Sequence, residues 1–183
     1  MTKIAAMLAD GFEEVEALAV IDILRRADIE TNMISISSNK KVTGAHNISI
    51  EADMLLEDID LGKYNGIFLP GGMPGTNNLD GCEKLCQAIL DFDREKKLLA
   101  AICAAPKIYG RLGILKGRKA VCYPGFENYL TGAEVKMEAR AVKDGHIITG
   151  RGMGTAIDLG LALVEELAGK NKSEELASAI QYR

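Results

Sequence analysis

Apolar and polar positions follow one another along the chain in blocks whose lengths predict strands alternating with helices. Short apolar runs predict buried strands at residues 3–8, 31–37, 66–69, 98–102 and 119–122. Longer stretches with helical spacing lie between or after them, at residues 13–27, 82–93, 106–113 and 154–168. Strands that alternate with helices pair in parallel and carry helices on both faces of the sheet. The pattern therefore predicts an α/β fold with a mostly parallel central sheet.

Smaller elements complete this arrangement. Two short β-like runs around Gly44 predict a small hairpin within residues 41–51. Residues 139–143 and 146–149 predict a second hairpin, because Asp144-Gly145 between them is a favoured two-residue turn. The polar segment 170–181 predicts a short helix or tail. We find no internal repeat, low-complexity segment or linker, so residues 1–183 are expected to form one domain.

Composition and charge narrow the class of protein. The chain is 48% hydrophobic and 26% charged, as in ordinary globular proteins. A net charge of −4 argues against nucleic acid or an anionic membrane as the main partner. No apolar run reaches membrane-spanning length, and Asp10 interrupts the first apolar run too early for a signal peptide. Since the four cysteines lack the pattern of a disulfide scaffold, we expect a cytoplasmic protein.

The central candidate for chemistry is Cys103, at the junction between the strand at 98–102 and a helix. Pro106 suits the first turn of that helix. Ala101 and Ala104 flank the cysteine, and a sharp turn that exposes a nucleophile needs small neighbours. A thiol at this position faces the positive end of a helix, which favours the thiolate. The alternative is a buried structural cysteine at the end of a strand.

Glu16 is the second candidate, because helical projection places it on an apolar face. The residues in line with it are Phe12, Ala19, Val20 and Ile23. A carboxylate on a buried face is costly unless it is paired or protonated. A protonated Glu16 could donate a hydrogen bond to a Cys103 thiolate, or move a proton during a reaction. The alternative is a glutamate that reaches solvent. Glu13 and Glu14 are expected to interact with the helix dipole.

Two glycine-rich turns offer backbone amides. Gly71 and Gly72 could present free N–H groups to a developing oxyanion beside the N–H of Ala104, or could form a plain tight turn. Residues 150–155 could bind an anion at a helix N-terminus with the help of Arg151, or could only bend the chain. The sequence lacks a P-loop and a G-x-G-x-x-G motif, so it does not indicate nucleotide binding.

The remaining cysteines and histidines suggest no metal or triad. Cys82 and Cys86 have the spacing of half a metal site, but no matching Cys/His pair follows, so we expect them to be structural. His46 lies in the small hairpin, and His146 follows a hairpin turn and is expected to face solvent. Neither is tied to Cys103 by sequence, so a cysteine–histidine protease or a glutaminase is poorly supported.

Together, four motifs resemble the ThiJ/PfpI superfamily, and within it the parkinsonism-associated deglycase branch. They are AICAAP at 101–106, LPGG at 69–72, GFEEVE at 11–16 and RGMGT at 151–155. The resemblance implies a flavodoxin-like, three-layer α/β/α sandwich, related to class I glutamine amidotransferase domains, and a homodimer. It places the reactive cysteine on Cys103, its protonated partner on Glu16, and the oxyanion amides on Gly72 and Ala104.

The same resemblance implies an activity that needs no cofactor. The branch includes glyoxalases that turn methylglyoxal into lactate and deglycases that act on proteins or nucleotides, so a small dicarbonyl or a glycated substrate is expected. Protection against oxidative stress and chaperone action are also associated with the branch. The rival interpretation is a redox sensor whose Cys103 is oxidised to a sulfinate.

Three positions depart from the patterns of this superfamily. Ala104 stands where a neighbouring protease branch has a histidine directly after the cysteine. Tyr123 stands where the deglycase branch often has a histidine near its site, and a phenol is a poor base near neutral pH. Met153 replaces a frequent proline. We expect Tyr123 and Arg151 to have at most supporting roles at the site.

Overall fold

The fold is seen in a computed structural model that describes residues 2–182. Its strands are β1 (Lys3–Leu8), β2 (Glu30–Ser35), β3 (Lys41–Thr43), β4 (Ser49–Glu51), β5 (Met54–Leu55), β6 (Gly66–Leu69), β7 (Leu98–Ile102), β8 (Lys119–Ala120), β9 (Glu134–Val135), β10 (Ala141–Asp144) and β11 (Ile147–Gly150). Its α-helices are α1 (Glu14–Arg26), α2 (Gly75–Asp80), α3 (Glu83–Glu95), α4 (Pro106–Arg111), α5 (Ala156–Ala168) and α6 (Lys170–Ala179).

Seven strands form the central sheet, in the order β10-β11-β7-β6-β1-β2-β5. Every neighbouring pair in it is parallel except β10 and β11, which form the hairpin predicted around Asp144-Gly145. The small hairpin predicted around Gly44 is also present, as the antiparallel pair β3 and β4. The mostly parallel sheet is thus confirmed.

Helices cover both faces of this sheet. Alternate residues of β1 enter two separate cores: Ile4, Ala6 and Leu8 face one core, and Ala5 and Met7 face the other. The first core is closed by α1, α5 and α6, and the second by α3 and α4. The three-layer α/β/α sandwich is therefore confirmed. Within residues 2–182, no helix combines the length and apolar character that crossing a membrane requires.

The strand order reverses beside β1. The chain passes from β1 to β2 on one side, and later returns as β6 on the other side. In open α/β sheets, ligands bind at such a reversal, outside the carboxyl ends of the strands. The carboxyl ends of the adjacent strands β1, β6 and β7 lead into the loops that carry residues 9–13, 70–74 and 103–105. The three loops expected to converge therefore lie side by side.

Three local expectations need correction. Helix α2 was not predicted, because the glycines and prolines of residues 70–75 obscure the start of this helix in the sequence. The strand expected at 119–122 is shorter and pairs with β9 in a separate two-stranded sheet. His146 does not face solvent: its side chain is 10% exposed and its Nε2 lies 2.8 Å from Oδ1 of Asp93 in α3, which packs over the strand that His146 precedes.

Candidate active site

Cys103 stands directly after β7 in a backbone conformation that side-chain-bearing residues rarely adopt, with φ of +64°. Such a conformation costs about 1–3 kcal/mol and persists only where neighbours impose it. The N–H of Cys103 donates to the carbonyl of Gly150 at 3.0 Å, and its own carbonyl accepts from the N–H of Tyr123 at 2.8 Å. Helix α4 then begins at Pro106, so the predicted strand–turn–helix junction is confirmed.

Glu16 is buried beside this turn, as the helical projection indicated. The residue is 1% exposed, and its Oε2 accepts a hydrogen bond from the N–H of Gly71 at 2.9 Å. Its carboxyl group also hydrogen-bonds the Cys103 side chain. Burial raises the pKa of Glu16 to about 7, although the contacts with Cys103 and Gly71 oppose the rise. This carboxyl can therefore gain or lose a proton near neutral pH.

The thiol and the carboxyl of this pair titrate as one unit. Burial raises the pKa of Cys103, and an ionised Glu16 raises it further, whereas the amides of Ala104 and Gly72 lower it. The sequence suggested that the thiol pKa would fall, but burial, and after it the charge of Glu16, outweighs the effect of the helix end and the amides. Transfer of the thiol proton to Glu16 removes that charge. Ionisation of the thiol is therefore easier when Glu16 holds a proton, so the two groups titrate as a coupled pair.

Two amides point at the sulfur of Cys103: those of Gly72 and Ala104. Gly72 has φ of +91°, and a Cβ on it would lie 2.6 Å from the carbonyl oxygen of Gly11, so the close approach of these loops requires glycine here. Gly71 differs from the expectation of a free amide, because its N–H is already bonded to Glu16. Gly71 holds the acid, while Gly72 and Ala104 face the nucleophile.

Glu13 positions the start of α1, a role beyond the expected interaction with the helix dipole. Its Oε2 accepts the N–H of Glu16 at 2.6 Å as the helix N-cap, and its own N–H donates to the carbonyl of Gly71 at 2.9 Å. The three-residue spacing between Glu13 and Glu16 resembles that of a capping box and was the available signal. Glu13 thereby ties α1 to the loop after β6.

Glu14 lies in the first turn of α1, where a partner of the helix dipole is expected, but it is also buried against the β3–β4 hairpin. The residue is 3% exposed, and its Oε1 accepts the N–H of His46 at 2.7 Å while its Oε2 lies 2.9 Å from Nδ1 of the same residue. Within residues 2–182, Glu13, Glu14 and His46 form one group whose ligand atoms lie within 4.8 Å of one another. Their oxygens already accept backbone N–H groups, so this group anchors the β3–β4 hairpin on α1.

The two supporting residues are placed differently. Tyr123 is 49% exposed and lies at the site, with its N–H on the Cys103 carbonyl and its ring against Gly152, where a Cβ would lie 3.1 Å from Cδ2. Arg151 donates from Nη1 to the carbonyl of Met137 at 3.2 Å. Its guanidinium is thus directed to the loop after β9, whereas Tyr123 flanks the turn that carries Cys103.

These groups can together add a sulfur atom to an electrophilic carbon. The thiol of Cys103 is half-buried, its proton has an acceptor in Glu16, and two fixed amides can stabilise negative charge beside the sulfur. A buried carboxyl that titrates near neutral pH can also return that proton later in a reaction.

Comparisons with known proteins place the chain in a family. The family model described as DJ-1/PfpI matches residues 2–166. The protein DJ-1 homolog B of Arabidopsis thaliana is 38% identical over 182 residues, which are 99% of this chain and 42% of that protein. The chain thus spans less than half the length of this relative. A Caenorhabditis elegans protein named glutathione-independent glyoxalase DJR-1.2 is 29% identical over 164 residues, covering 90% of this chain and 87% of that one.

A solved structure agrees with these sequence matches. A DJ-1 superfamily protein from Salmonella typhimurium, crystallised as a cysteine-to-alanine mutant, has a TM-score of 0.95 and 32% identity, with both chains covered completely. The sequence match over most of the chain and the shared fold agree with each other. The chain belongs to the DJ-1/PfpI family.

Proposed function

We propose that this chain is a cofactor-independent glyoxalase, which converts 2-oxoaldehydes such as methylglyoxal into 2-hydroxy acids. The observation that carries the proposal is the contact between Cys103 and a buried Glu16 carboxyl whose pKa is about 7. The Glu16 carboxyl can therefore act both as the base for the thiol and as the proton carrier for an isomerisation. The family relative named a glutathione-independent glyoxalase supports the choice of reaction.

The first step is addition of the thiol to the aldehyde. The sulfur of Cys103 bonds to the aldehyde carbon, and Glu16 accepts the thiol proton as the C=O double bond opens. The amides of Gly72 and Ala104 face the sulfur, so an oxygen on the attacked carbon would lie close to the same two donors. Glu16 then returns the proton to this oxygen, so the product is a neutral hemithioacetal on Cys103 and Glu16 is again ionised for the next step.

The second step is an internal redox isomerisation. Glu16 transfers a proton from the former aldehyde carbon to the neighbouring ketone carbon through an enediol, so the first carbon is oxidised and the second reduced. The result is a thioester of the hydroxy acid, which water hydrolyses to release the acid and the thiol. Methylglyoxal and water thus yield lactate, and no external oxidant or reductant is consumed.

The reaction on adducts is the finer form of this proposal. A hemiaminal or a hemithioacetal, the early adduct of a 2-oxoaldehyde on an amine or a thiol of a protein, releases the aldehyde reversibly, so the same chemistry at Cys103 would give deglycation. The half-exposed Tyr123 at the site leaves the turn accessible from solvent, which suits a substrate attached to a larger molecule. We further expect the active species to be a homodimer.

Formation of lactate from methylglyoxal, without glutathione or added metal, tests the proposal. We expect turnover by the wild-type chain and none above background by Cys103→Ser. Cys122→Ser is the matched control, because Cys122 is fully buried and hydrogen-bonds no group of the site, and it should retain activity. Absence of lactate from a folded wild-type chain would refute a glyoxalase activity.

A redox-sensing function is the second candidate, and the donors around Cys103 favour it. The amides of Gly72 and Ala104 and a protonated Glu16 could hydrogen-bond the oxygens of a cysteine sulfinate. Limited peroxide followed by intact-mass measurement distinguishes the two: a stable gain of two oxygens on Cys103, with no methylglyoxal turnover in the reduced chain, supports sensing instead of catalysis.

A further inference from the structure

A second pair of thiols lies outside the Cys103 site, at the start of α3. Cys82 is the N-cap of this helix and Cys86 lies one turn later, with its N–H donating to the Cys82 carbonyl at 2.9 Å. Both residues are half-buried. Helical geometry places Cα atoms four residues apart at about 6 Å, inside the range of about 4.4–6.8 Å found in disulfides. Cys82 has an extended backbone, so its side chain is not held in the helical direction.

A guanidinium group contacts one of these sulfurs. Nη2 of Arg111 lies 3.1 Å from Sγ of Cys86, and its Nε donates to Oδ1 of Asp80 at 2.7 Å. The thiol of Cys86 donates to the carbonyl of Asp80 at 3.3 Å. Burial raises the pKa of Cys86, Arg111 opposes that rise, and the nearby Asp80 carboxylate adds to it. A fixed positive charge at this distance stabilises the anionic forms through which a thiol is oxidised.

We propose that Cys82 and Cys86 form a reversible disulfide when a hydroperoxide oxidises the chain, which makes the start of α3 a second redox site. The Cys86 thiolate attacks one peroxide oxygen, the O–O bond breaks, and Cys86 becomes a sulfenic acid while water or an alcohol leaves. The Cys82 sulfur then attacks Sγ of Cys86 and displaces hydroxide, which leaves as water with the Cys82 proton. Two thiols lose two electrons, and the peroxide gains them.

The two redox sites share their supporting helices. Arg111 ends α4, which begins three residues after Cys103, and Asp80 ends α2, which begins three residues after Gly72. Disulfide formation removes the S–H donor from the Asp80 carbonyl and withdraws the sulfur from Arg111. The chemistry at α3 does not require Cys103, so the two sites can be separated by mutation.

The test uses the full chain with Cys103→Ser, so that the proposed catalytic thiol contributes nothing. The protein is treated with hydrogen peroxide, blocked with N-ethylmaleimide and digested with trypsin without reduction. Trypsin cleaves after Lys84, between the two cysteines, so the disulfide joins peptides 64–84 and 85–94. We expect this cross-linked peptide, lighter by two hydrogens than its parts, and we expect dithiothreitol to separate them. Cys122 is fully buried, so we expect it to react with neither hydrogen peroxide nor N-ethylmaleimide until the chain unfolds.

Two variants examine the roles assigned to the residues. With Cys82→Ser, the sulfenic acid on Cys86 has no partner and should be trapped by dimedone. With Arg111→Gln, we expect oxidation to slow by roughly tenfold, because the thiolate and the sulfenate lose their cation. Arg26→Gln is the matched control, because Arg26 pairs only with Asp22 on the surface of α1 among the contacts seen, and its rate should equal that of the parent.

These experiments test the Cys82–Cys86 disulfide independently of the glyoxalase proposal, because that proposal depends on Cys103. Absence of the cross-linked peptide from folded protein at peroxide levels that oxidise free cysteine would overturn the inference. A disulfide found only between chains, with a rate that depends on protein concentration, would overturn it as well. Equal oxidation rates for Arg111→Gln and Arg26→Gln would remove the role of the guanidinium.

Discussion

The carboxyl group of Glu16 is hydrogen-bonded to the thiol of Cys103, although the two residues come from the first helix and from the turn after β7. The sheet makes this contact possible because β1, β6 and β7 are neighbours whose carboxyl ends point the same way. Glu16 is anchored by Gly71 from the loop between them. One carboxyl thus links all three loops.

The first prediction concerns Glu16→Gln, which keeps a hydrogen-bond donor but cannot accept the thiol proton. We expect methylglyoxal turnover to fall by about 10²–10⁴, the usual contribution of a general acid–base group. Wild-type kcat/KM should rise with pH through a midpoint near 7, because the ionised carboxyl is the active base. Glu16→Asp should retain that rise at lower activity, since it keeps a base but shortens the reach by one methylene.

Steady-state rates of lactate formation across pH check this prediction. Asp22→Asn is the control, because Asp22 lies on the exposed side of the same helix and pairs with Arg26. A Glu16→Gln variant with wild-type kcat would show that another group carries the proton.

The second prediction concerns stability. The pKa of Glu16 in the folded chain is about 7, above its ordinary value of 4.5, so the folded state holds this proton more tightly than the unfolded state does. The resulting stabilisation is complete below about pH 4.5 and is lost as pH rises through about 7. The difference in Tm between the wild type and Glu16→Gln (wild type minus variant) should therefore decrease as the pH rises from about 4.5 to about 7. Thermal unfolding of both proteins in matched buffers measures the difference, and a difference that is constant with pH would contradict the shift.

The third prediction concerns Gly71, where a side chain would intrude into the pair. A Cβ at this position would lie 2.5 Å from Oε2 of Glu16 and 2.6 Å from Cβ of Cys103. We expect Gly71→Ala to fold but to displace these two side chains, with a loss of turnover of at least about 10²-fold, as small misplacements of reacting groups can cause. Gly154→Ala is the control, because a Cβ there meets no atom within 4 Å. Circular dichroism and turnover of the two variants check it; equal activity would show that the site can accommodate the methyl group.

The fourth prediction concerns Tyr123, whose half-exposed side chain flanks the turn that carries Cys103. Its backbone N–H holds the Cys103 carbonyl, and this bond does not depend on the side chain. Because a phenol is a poor base near pH 7, we expect Tyr123→Phe to change turnover by less than about threefold, far below the usual effect of losing a general base. Tyr123→Gly, which also frees the backbone, should be more harmful. A large loss of kcat in Tyr123→Phe would assign the hydroxyl a catalytic role.

The fifth prediction is that the chain forms a homodimer through the outer face of α1. Val15 and Leu18 are 49% and 37% exposed, and Ile48 from the β3–β4 hairpin is 55% exposed beside them, since its N–H bonds Glu14. Adjacent exposed apolar side chains indicate an interface, and a second copy presents the same surface. Light scattering should give twice the mass of the chain, and Leu18→Glu should give a monomer. Tyr129→Glu, at another exposed site, should leave the dimer intact; a monomeric wild type at micromolar concentration would contradict the prediction.

The sequence by itself determined the class of fold and the main chemical groups. The periodicity of apolar residues specified the alternation of strands and helices, because burial of one face depends only on local spacing. The same reasoning predicted Cys103 at a strand–helix junction and Glu16 on a buried face, since small neighbours and helical projection are local features. The hairpin at Asp144-Gly145 follows from turn chemistry in the same way.

Only the tertiary structure decided how these groups act on one another. The pKa values of Cys103 and Glu16 depend on burial and on a contact between distant segments, and burial moves the thiol pKa opposite to the expected direction. Gly71 and Gly72 are adjacent in sequence, yet one amide binds the acid and the other faces the sulfur. His146 became buried because Asp93 of α3 packs beside it. Desolvation and long-range pairing arise from the packing of elements, and the local sequence pattern does not encode them.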